Sequence, residues 1–312
     1  MSCDAFCAQQ AVSFAVYCVS LPFYVAFLAA IARGRREDER LRASFFTICL
    51  SMGAADIEAS LHQWLLSRPR LLGLFYDFYD FFDPVGSNIL VSVALQMNAT
   101  QVIGVLLLSL NRYTAIVLPD RHSQIWSAAV LKRLFLVQWC VPALLFLGGY
   151  APVANCVPVR VSANSTAVNF RFDDPYAAYC FAGTSAFMVA SCSVMIVLYA
   201  HMTLRVVMTT RTTGNRLKGV ELKLAASGLV IFLQAMGMTY AWVQMLVNAD
   251  FEGAAFYYTM VDLLCLVNPY AVVALSEPAR RQLLRLLRLP GGHSSNAVVV
   301  QPMTTHAGPR MP

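Results

Sequence analysis

The chain has 312 residues, of which 58% are hydrophobic and 13% are charged, and its formal net charge is +6. An ordinary soluble domain has about twice that charged share. The composition therefore argues against a soluble protein. It predicts an integral membrane protein whose basic residues lie on one side of a bilayer.

Seven apolar stretches are long enough to cross a membrane, since a helix needs about 20 apolar residues to span the roughly 30 Å hydrocarbon layer. We number them helix one to helix seven, over residues 11–32, 43–66, 84–110, 131–151, 177–204, 220–247 and 254–275. The predicted fold class is an all-α membrane protein. Its seven-transmembrane helix bundle covers residues 11–275, after a short extracellular N-terminus over residues 1–10.

Basic residues are unevenly distributed between the predicted loops. The loops after helices one, three and five, together with the tail, hold 19 of the 23 Lys and Arg residues but six of the 17 Asp and Glu residues. Lys and Arg collect in short cytoplasmic loops, so the N-terminus is predicted outside and the C-terminus inside. This charge gradient favours anionic inner lipids and a cytoplasmic partner rather than nucleic acid.

Helix two contains three ionisable residues, although an ionised side chain at mid-bilayer costs about 2.5 to 3.5 kcal/mol on insertion scales. They are Asp56, Glu58 and His62. Glu58 and His62 are four residues apart and share a helix face, whereas Asp56 lies about 200° around the helix from Glu58. We interpret Asp56 as a hydrated or ion-binding carboxylate that faces the bundle, and Glu58 with His62 as a mutually satisfied pair.

Helix three is predicted to carry a polar seam that runs into the bundle from Arg112. Ser109, Gln101 and Asn98 lie on the helix face of Arg112, and Asn98 is about 21 Å from it along the axis. That position is in the outer third of the bilayer, where a bundle would hold a small ligand. Hydrogen bonding between helices is the alternative role of Asn98 and Gln101.

Polar and aromatic side chains also mark the predicted outer ends of helices six and seven. Some of these aromatic residues fit an interfacial belt instead. Asp262 is a lone acid within helix seven, so it needs a partner. The predicted ligand-binding residues are Asn98, Gln101, Tyr240, Gln244, Tyr258 and Asp262.

The segment after helix seven predicts a short amphipathic helix over residues 276–289 that lies along the membrane surface. It begins with Ser276 and Pro278, alternates Arg with Leu, and stops at Pro290. Its leucines are expected to face lipid and its arginines the anionic headgroups. Residues 290–312 are predicted to be a disordered cytoplasmic tail.

Three short motifs at the helix ends resemble those of rhodopsin-like G-protein-coupled receptors. Asn111, Arg112 and Tyr113 resemble the Asp-Arg-Tyr element that ends helix three in those receptors. Asp56, in the sequence Gly-Ala-Ala-Asp, resembles their acidic helix-two motif. The third motif resembles a contracted Asn-Pro-x-x-Tyr, and its residues are Asn268, Pro269 and Tyr270.

Two longer stretches resemble the nematode serpentine chemoreceptors more specifically. One runs from Ser109 to Pro119 and continues through His122 to Trp126, and the other runs from Asp262 to Arg280. The chain is similar to the gamma class and the related v class of that family. The resemblance implies a chemosensory G-protein-coupled receptor in the plasma membrane, with a location in sensory cilia.

The same resemblance implies roles for the motif residues. Arg112 would belong to a cytoplasmic switch that contacts a heterotrimeric G protein when helices three and six separate. Asn268 and Pro269 would be a deformable point in helix seven, where proline removes a backbone donor. Asn111 replaces the family's acid, so the usual charge clamp on Arg112 is missing. The predicted switch residues are Asp56, Asn111, Arg112, Tyr113, Asn268, Pro269 and Tyr270.

The second outer loop carries two predicted modifications. Asn164 begins an Asn-Ser-Thr glycosylation acceptor. The outer end of helix three has no Cys for the bridge usual in these receptors. Three full pairings are open to the four cysteines on the outer side, and we favour Cys156 with Cys180 over pairings with Cys3 and Cys7.

The predicted function is a receptor that binds a small molecule in the outer half of the bundle and signals to a cytoplasmic G protein. A seven-helix transporter or ion channel that uses Asp56, Glu58 and Asp262 is the alternative, although the chain lacks paired repeats. We predict no enzymatic activity, no cofactor and no metal, since only His62 and His201 lie within predicted helices. Membrane lipids are the remaining expected partner.

Overall fold

For this chain a computed structural model describes residues 3–74, 84–150, 156–160, 168–172, 175–213, 219–248 and 251–288. Seven long helices confirm the predicted fold class. From helix one to helix seven they span Cys3–Glu37, Ser44–His62, Pro84–Val117, Ala128–Ala143, Pro175–Thr213, Gly219–Asn248 and Phe251–Leu275. Helix one begins eight residues before its predicted start, because polar turns outside the apolar stretch continue the same backbone hydrogen-bond ladder.

Helices two and four continue beyond these bounds through π-helical stretches. In helix two this stretch is Gln63–Ser67, and Arg68–Leu71 then returns to α-helix. In helix four it is Leu144–Tyr150. A π-helical stretch shifts the side chains after it around the axis, and such stretches are frequent at functional sites.

Within the described residues, five helices are long and apolar enough to cross a membrane, namely Ala8–Glu37, Val85–Val117, Ala128–Gly148, Tyr179–Met208 and Phe256–Leu275. Asp56 and Glu58 lower the hydropathy of helix two, and side chains at both ends of helix six lie outside the described residues. Large apolar side chains such as Val19, Leu144 and Val197 are more than 60% exposed on the outside of the bundle. That pattern is expected where lipid rather than water surrounds the helices.

Helix three lies at the centre of the bundle. It packs against helices two, four, five and six, and it is the most buried of the five apolar helices. Ser109, Gln101 and Asn98 are all buried, which confirms the predicted inward seam.

Two short elements connect the helices at opposite ends of the bundle. The helix Pro119–Ile125 follows helix three. Between helices four and five, strand β1 (Cys156–Arg160) pairs antiparallel with strand β2 (Val168–Phe172). This hairpin is not among the predicted elements, although residues 168–172 alternate apolar and polar residue types. β1 lies against helix three, and β2 lies near Arg68–Leu71.

The predicted surface helix is present at Glu277–Leu286, with Ser276 at its N-cap. It packs against the end of helix one, where Gln282 Nε2 donates a hydrogen bond to Glu37 Oε2 at 3.3 Å. A Cβ atom added at Gly34 would lie 2.6 Å from Gln282 Cγ, so this contact requires glycine. Leu283 is buried in the protein, which corrects the expectation that all the leucines face lipid, whereas Leu287 is exposed.

Candidate functional site

Buried polar residues form three clusters along the length of the bundle. The Arg68 cluster consists of Gln10, Trp64, Arg68, Tyr258 and Asp262. The Asp56 hub consists of Tyr24, Asp56, Gln101, Cys265 and Asn268. The Arg112 cluster consists of Ser44, Phe45, Asn111, Arg112, Thr114 and His122. Helix two contributes to all three, and helix seven contributes to the first two. We call the two ends of the bundle the Arg68 end and the Arg112 end.

Arg68 is the largest fully buried side chain among the described residues, with 1% of its surface exposed. Its Nη2 donates to the Asp262 carboxylate and, at 3.2 Å, to the Tyr258 carbonyl oxygen. Its Nη1 donates to Gln10 Oε1. The guanidinium also lies 4.0 Å from the centre of the Trp64 ring. The Arg68 cluster therefore joins helices one, two and seven around one ion pair.

Arg68 lies beyond the predicted end of helix two at residue 66, and that predicted boundary is wrong. The helix continues through its π-helical stretch and carries Arg68 into the bundle. Two signals in the sequence point to this arrangement. Asp262 needs a partner within the membrane, and Trp64 lies four residues before Arg68, the spacing of neighbours on one helix face.

Asp56 is a hydrogen-bond acceptor for three other helices. Tyr24 Oη of helix one and Asn268 Nδ2 of helix seven each donate to Asp56 Oδ2 at 2.6 Å. Gln101 Nε2 of helix three donates to Asp56 Oδ1 at 2.8 Å and lies 3.0 Å from Cys265 Sγ. Asp56 is 1% exposed, which confirms that it faces the bundle. Four helices are thus held together at one carboxylate.

Arg112 contacts neutral groups of helices two and three at the other end of the bundle. Its Nη2 donates to Asn111 Oδ1 at 2.6 Å, and its guanidinium lies 4.2 Å from the centre of the Phe45 ring. Asn111 Nδ2 in turn donates to Ser44 Oγ at 2.7 Å. The amide of Asn111 therefore takes the place of the acid in the Asp-Arg-Tyr element that the sequence resembles. Helix six passes close by, because a Cβ atom added at Gly228 would lie 3.6 Å from Arg112 Cγ.

His122 connects the short helix after helix three to this cluster. Its Nδ1 lies 3.0 Å from Thr114 Oγ1, which also accepts a hydrogen bond from Trp126 Nε1 at 2.7 Å. Burial lowers the pKa of His122, and the positive charge of Arg112 lowers it further. The geometry therefore favours a neutral imidazole.

The match to known proteins covers most of the chain. Residues 13–289 match the family model described as the serpentine-type 7TM GPCR chemoreceptor Srv. The chain belongs to the Srv family. The chain is also 25% identical over 283 residues to Serpentine receptor class V-1 of Caenorhabditis elegans. The aligned region covers 88% of this chain and 89% of that protein. These matches confirm the predicted chemoreceptor family in its v class, and with the apolar helices they make the receptor a multi-pass membrane protein.

The residues predicted to bind ligand lie in different surroundings in the receptor. Tyr258 and Asp262 belong to the Arg68 cluster. Asn98 Nδ2 donates to Tyr257 Oη at 2.7 Å, and Gln101 belongs to the Asp56 hub, so both make hydrogen bonds between helices. Gln244 is half-buried in helix six, whereas Tyr240 is 59% exposed on the same helix. Their role in ligand binding stays a prediction.

The remaining predicted switch residues make contacts between helices. Tyr113 Oη lies 3.0 Å from His201 Nδ1 of helix five. Tyr270 Oη donates to Ser20 Oγ of helix one at 3.0 Å, and its ring stacks on Phe23 with the ring centres 4.5 Å apart. Pro269 lies within helix seven, directly after Asn268 of the Asp56 hub.

Glu58 and His62 do not form the predicted pair. Instead, His62 Nδ1 lies 3.2 Å from Ser67 Oγ, five residues later in the chain. The π-helical stretch Gln63–Ser67 explains this contact, because it brings residues five apart onto one face. Glu58 Oε2 is buried and has no hydrogen-bond partner within the part of the chain that the structure describes.

The two predicted modifications fall largely outside the described residues. Asn164 lies outside them. Cys156 begins β1, opposite Phe172, but its side chain is not among those described. Cys180 is partly buried in helix five. The disulfide between Cys156 and Cys180 and the glycosylation of Asn164 stay predictions.

Proposed function

We propose that the receptor binds a small molecule at the Arg68 end of its bundle and signals to a heterotrimeric G protein at the Arg112 end. Membership of the Srv family supports a chemosensory receptor. The observation that carries the proposal is that three buried polar clusters lie one after another along the bundle, and helix two contributes residues to each of them. They supply a continuous physical connection between two distant sites, as a two-state receptor requires.

Helix seven connects the proposed ligand site to the Asp56 hub. Asp262 contacts Arg68, and Asn268, six residues further along, donates to Asp56. Six residues of α-helix span about 9 Å. Pro269 weakens the helix at this point because it removes a backbone donor. A ligand that moves Asp262 would therefore change the hydrogen bonds of Asn268.

Helices two and three connect the Asp56 hub to Arg112. Helix two carries Asp56 and also Ser44, and helix three carries Gln101 and also Asn111. A shift of helix two against helix three would change the Ser44–Asn111 hydrogen bond and, through it, the hold of Asn111 on Arg112. Separation of helices three and six would then expose Arg112 to the G protein.

The membrane arrangement follows from the charge distribution. The Arg112 end, the loop 33–42 and the surface helix carry most of the basic residues, which supports a cytoplasmic location for this end and an outer location for the N-terminus. The surface helix would contact anionic lipids through its exposed arginines. We place the receptor in the plasma membrane, and we propose sensory cilia as its location because the family resemblance implies them.

A ligand screen in cells that display the receptor at their surface tests the proposal. We expect at least one small molecule to evoke a G-protein response that Arg112→Ala abolishes, while binding of that molecule is retained. Gly183→Ala is the matched control, because a Cβ atom there would meet nothing within 4 Å. A response that survives Arg112→Ala unchanged would contradict the proposal. So would a ligand-evoked ion current that needs no G protein and that Asp56→Asn abolishes.

A further inference from the structure

The Arg68 cluster contains buried hydrogen-bond donors that the protein does not use. Arg68 Nη1 and Nη2 have partners, but Arg68 Nε is buried and has no hydrogen-bond partner among the described residues. Gln10 Nε2 is also buried without a hydrogen-bond partner among the described residues, although Gln10 Oε1 accepts a hydrogen bond from Arg68. Arg68 is 1% exposed and Gln10 is 4% exposed. Native proteins rarely leave such groups unpaired, and each instance calls for an explanation.

We propose that these donors recognise an anionic hydrogen-bond acceptor, so that the ligand of the receptor is an amphipathic carboxylic acid. This inference rests on the proposed function and names the class of ligand. The unsatisfied atoms of the cluster, on Gln10, Trp64 and Arg68, are all N–H donors, and the one on Arg68 belongs to a cation. A carboxylate supplies two acceptor oxygens in the plane that a guanidinium requires, whereas an ammonium group supplies donors alone.

The hydrogen bonds of Arg68 leave its Nε able to take a further acceptor. Asp262 accepts from Nη2, and Nε has no hydrogen-bond partner among the described residues. Gln10, a neutral residue, occupies Nη1. An incoming carboxylate would accept from Nε and compete with Asp262 for the guanidinium, so the ion pair with Asp262 would weaken. That weakening is the change in helix seven that the proposed signalling route needs.

Aromatic rings beside the two donors would bind the apolar part of such a ligand. Gln10, Phe14 and Tyr17 lie on one face of helix one, at spacings of four and three residues. Phe14 and Tyr17 contact Trp64, with ring centres 5.2 and 5.3 Å apart, respectively. Phe14 is half-exposed, so this face is open at its edge. An alkyl or phenyl group would bury apolar surface against these rings.

The test measures ligand-induced changes in the unfolding temperature of the purified full-length receptor in lipid nanodiscs. The probes are octanoate and phenylacetate, the amines octylamine and phenethylamine with similar apolar groups, and octanamide as a neutral compound. We expect the two acids to raise the unfolding temperature of the receptor, because a ligand that binds the folded state stabilises it. The amines are expected to cause no shift.

Two substitutions separate a carboxylate site from an amine site. Asp262→Asn removes the competing anion, so we expect it to tighten acid binding about tenfold. An amine site on Asp262 predicts the opposite, a loss of binding. Gln10→Glu places a carboxylate of the protein against Arg68, so we expect it to abolish the acid-induced shift in a protein that remains folded. Lys132→Gln, on the exposed face of helix four, is the control that should leave the shift unchanged.

The outcomes distinguish this inference from the proposed function. Stabilisation by the amines and not by the acids would overturn the inference, as would an acid-induced shift that survives Gln10→Glu, or no shift with either acid. A G-protein response to a neutral or basic ligand would retain the proposed function and overturn the inference. Acid binding without any G-protein response would retain the inference and contradict the proposed function.

Discussion

The two ends of the bundle each bury one arginine, and they satisfy it in different ways. Arg68 donates to a carboxylate on a helix 194 residues away in the sequence and to two further groups from helices one and seven. Arg112 donates to the amide oxygen of its own neighbour in helix three and stacks on Phe45 of helix two. Both side chains are buried, and the contacts described for them differ in charge and in origin.

The Arg68 end joins distant helices through an ion pair, whereas the described hydrogen bond of Arg112 lies within helix three. An ion pair between distant helices resists their separation, because each buried charge depends on the other. The hydrogen bond between Asn111 and Arg112 lies within one helix, so separating helices three and six does not break it. A receptor that keeps its bundle intact at the Arg68 end and opens at the Arg112 end would need this asymmetry.

The largest effect is expected from Arg68→Ala. It leaves Asp262 buried without its counter-ion, which costs about 3 to 5 kcal/mol of the free energy of unfolding. Unfolding equilibria in mixed micelles measure this value. Arg112→Ala is the comparison and should cost clearly less. Equal losses at the two positions would mean that the two arginines do the same structural work.

The next largest effect is expected from Asp56→Ala, which removes the acceptor of Tyr24, Gln101 and Asn268 together. Three buried donors would lose their partner, so we expect a loss of about 3 kcal/mol in the free energy of unfolding. Asp56→Asn retains one oxygen acceptor and should lose less. If both variants remain as stable as the native receptor, the Asp56 hub does not connect the two ends.

Asn111→Asp makes the Arg112 end resemble the Arg68 end, since it gives Arg112 a carboxylate partner. We expect the inactive state to gain about 1.4 kcal/mol, which corresponds to a roughly tenfold lower G-protein activation in the absence of ligand. Nucleotide exchange on a purified G protein measures it. Asn111→Gln, which keeps a neutral amide, serves as control. Higher activation in Asn111→Asp would show that the clamp does not restrain the receptor.

Gly228→Ala tests how closely helix six is packed at the Arg112 end. The added Cβ would lie 2.6 Å from Tyr199 Oη, so the Tyr199 ring or helix six must shift. We expect about 1 kcal/mol less stability for the closed state, and activation without ligand that rises several-fold. Gly183→Ala is matched in chemistry and meets nothing within 4 Å. Equal behaviour of the two variants would contradict close packing of helix six.

The smallest effect is expected from His122, through pH. Burial and the charge of Arg112 lower its pKa in the folded state below the usual value of about 6.5. The unfolded chain therefore binds a proton first as the pH falls, so stability is full above about pH 6.5 and decreases below it. Unfolding temperatures recorded between about pH 7.5 and pH 5.5 should fall more in the native receptor than in His122→Asn. Identical profiles would contradict the prediction.

Local patterns were sufficient to predict the seven helices, the inward seam of helix three and the inward orientation of Asp56. Hydropathy and helical spacing are properties of neighbouring residues, so a single sequence carries them. The sequence was also sufficient to predict that Asp262 needs a partner, because an unpaired charge within an apolar helix is costly. The same patterns could not name Arg68 as that partner, since Arg68 lies beyond the apolar part of helix two and pairs with a residue on helix seven.

The sequence by itself thus determined the membrane class, the family motifs and the list of polar residues that need an explanation. The tertiary structure alone decided how those residues pair. Arg68 lies in the bundle because helix two continues through a π-helical stretch, and the same stretch places His62 next to Ser67 rather than Glu58. Four helices pack around Asp56, and its carboxylate accepts three hydrogen bonds there. Pairing depends on the rotation and approach of distant helices, and these are set by the whole bundle rather than by any one segment of the chain.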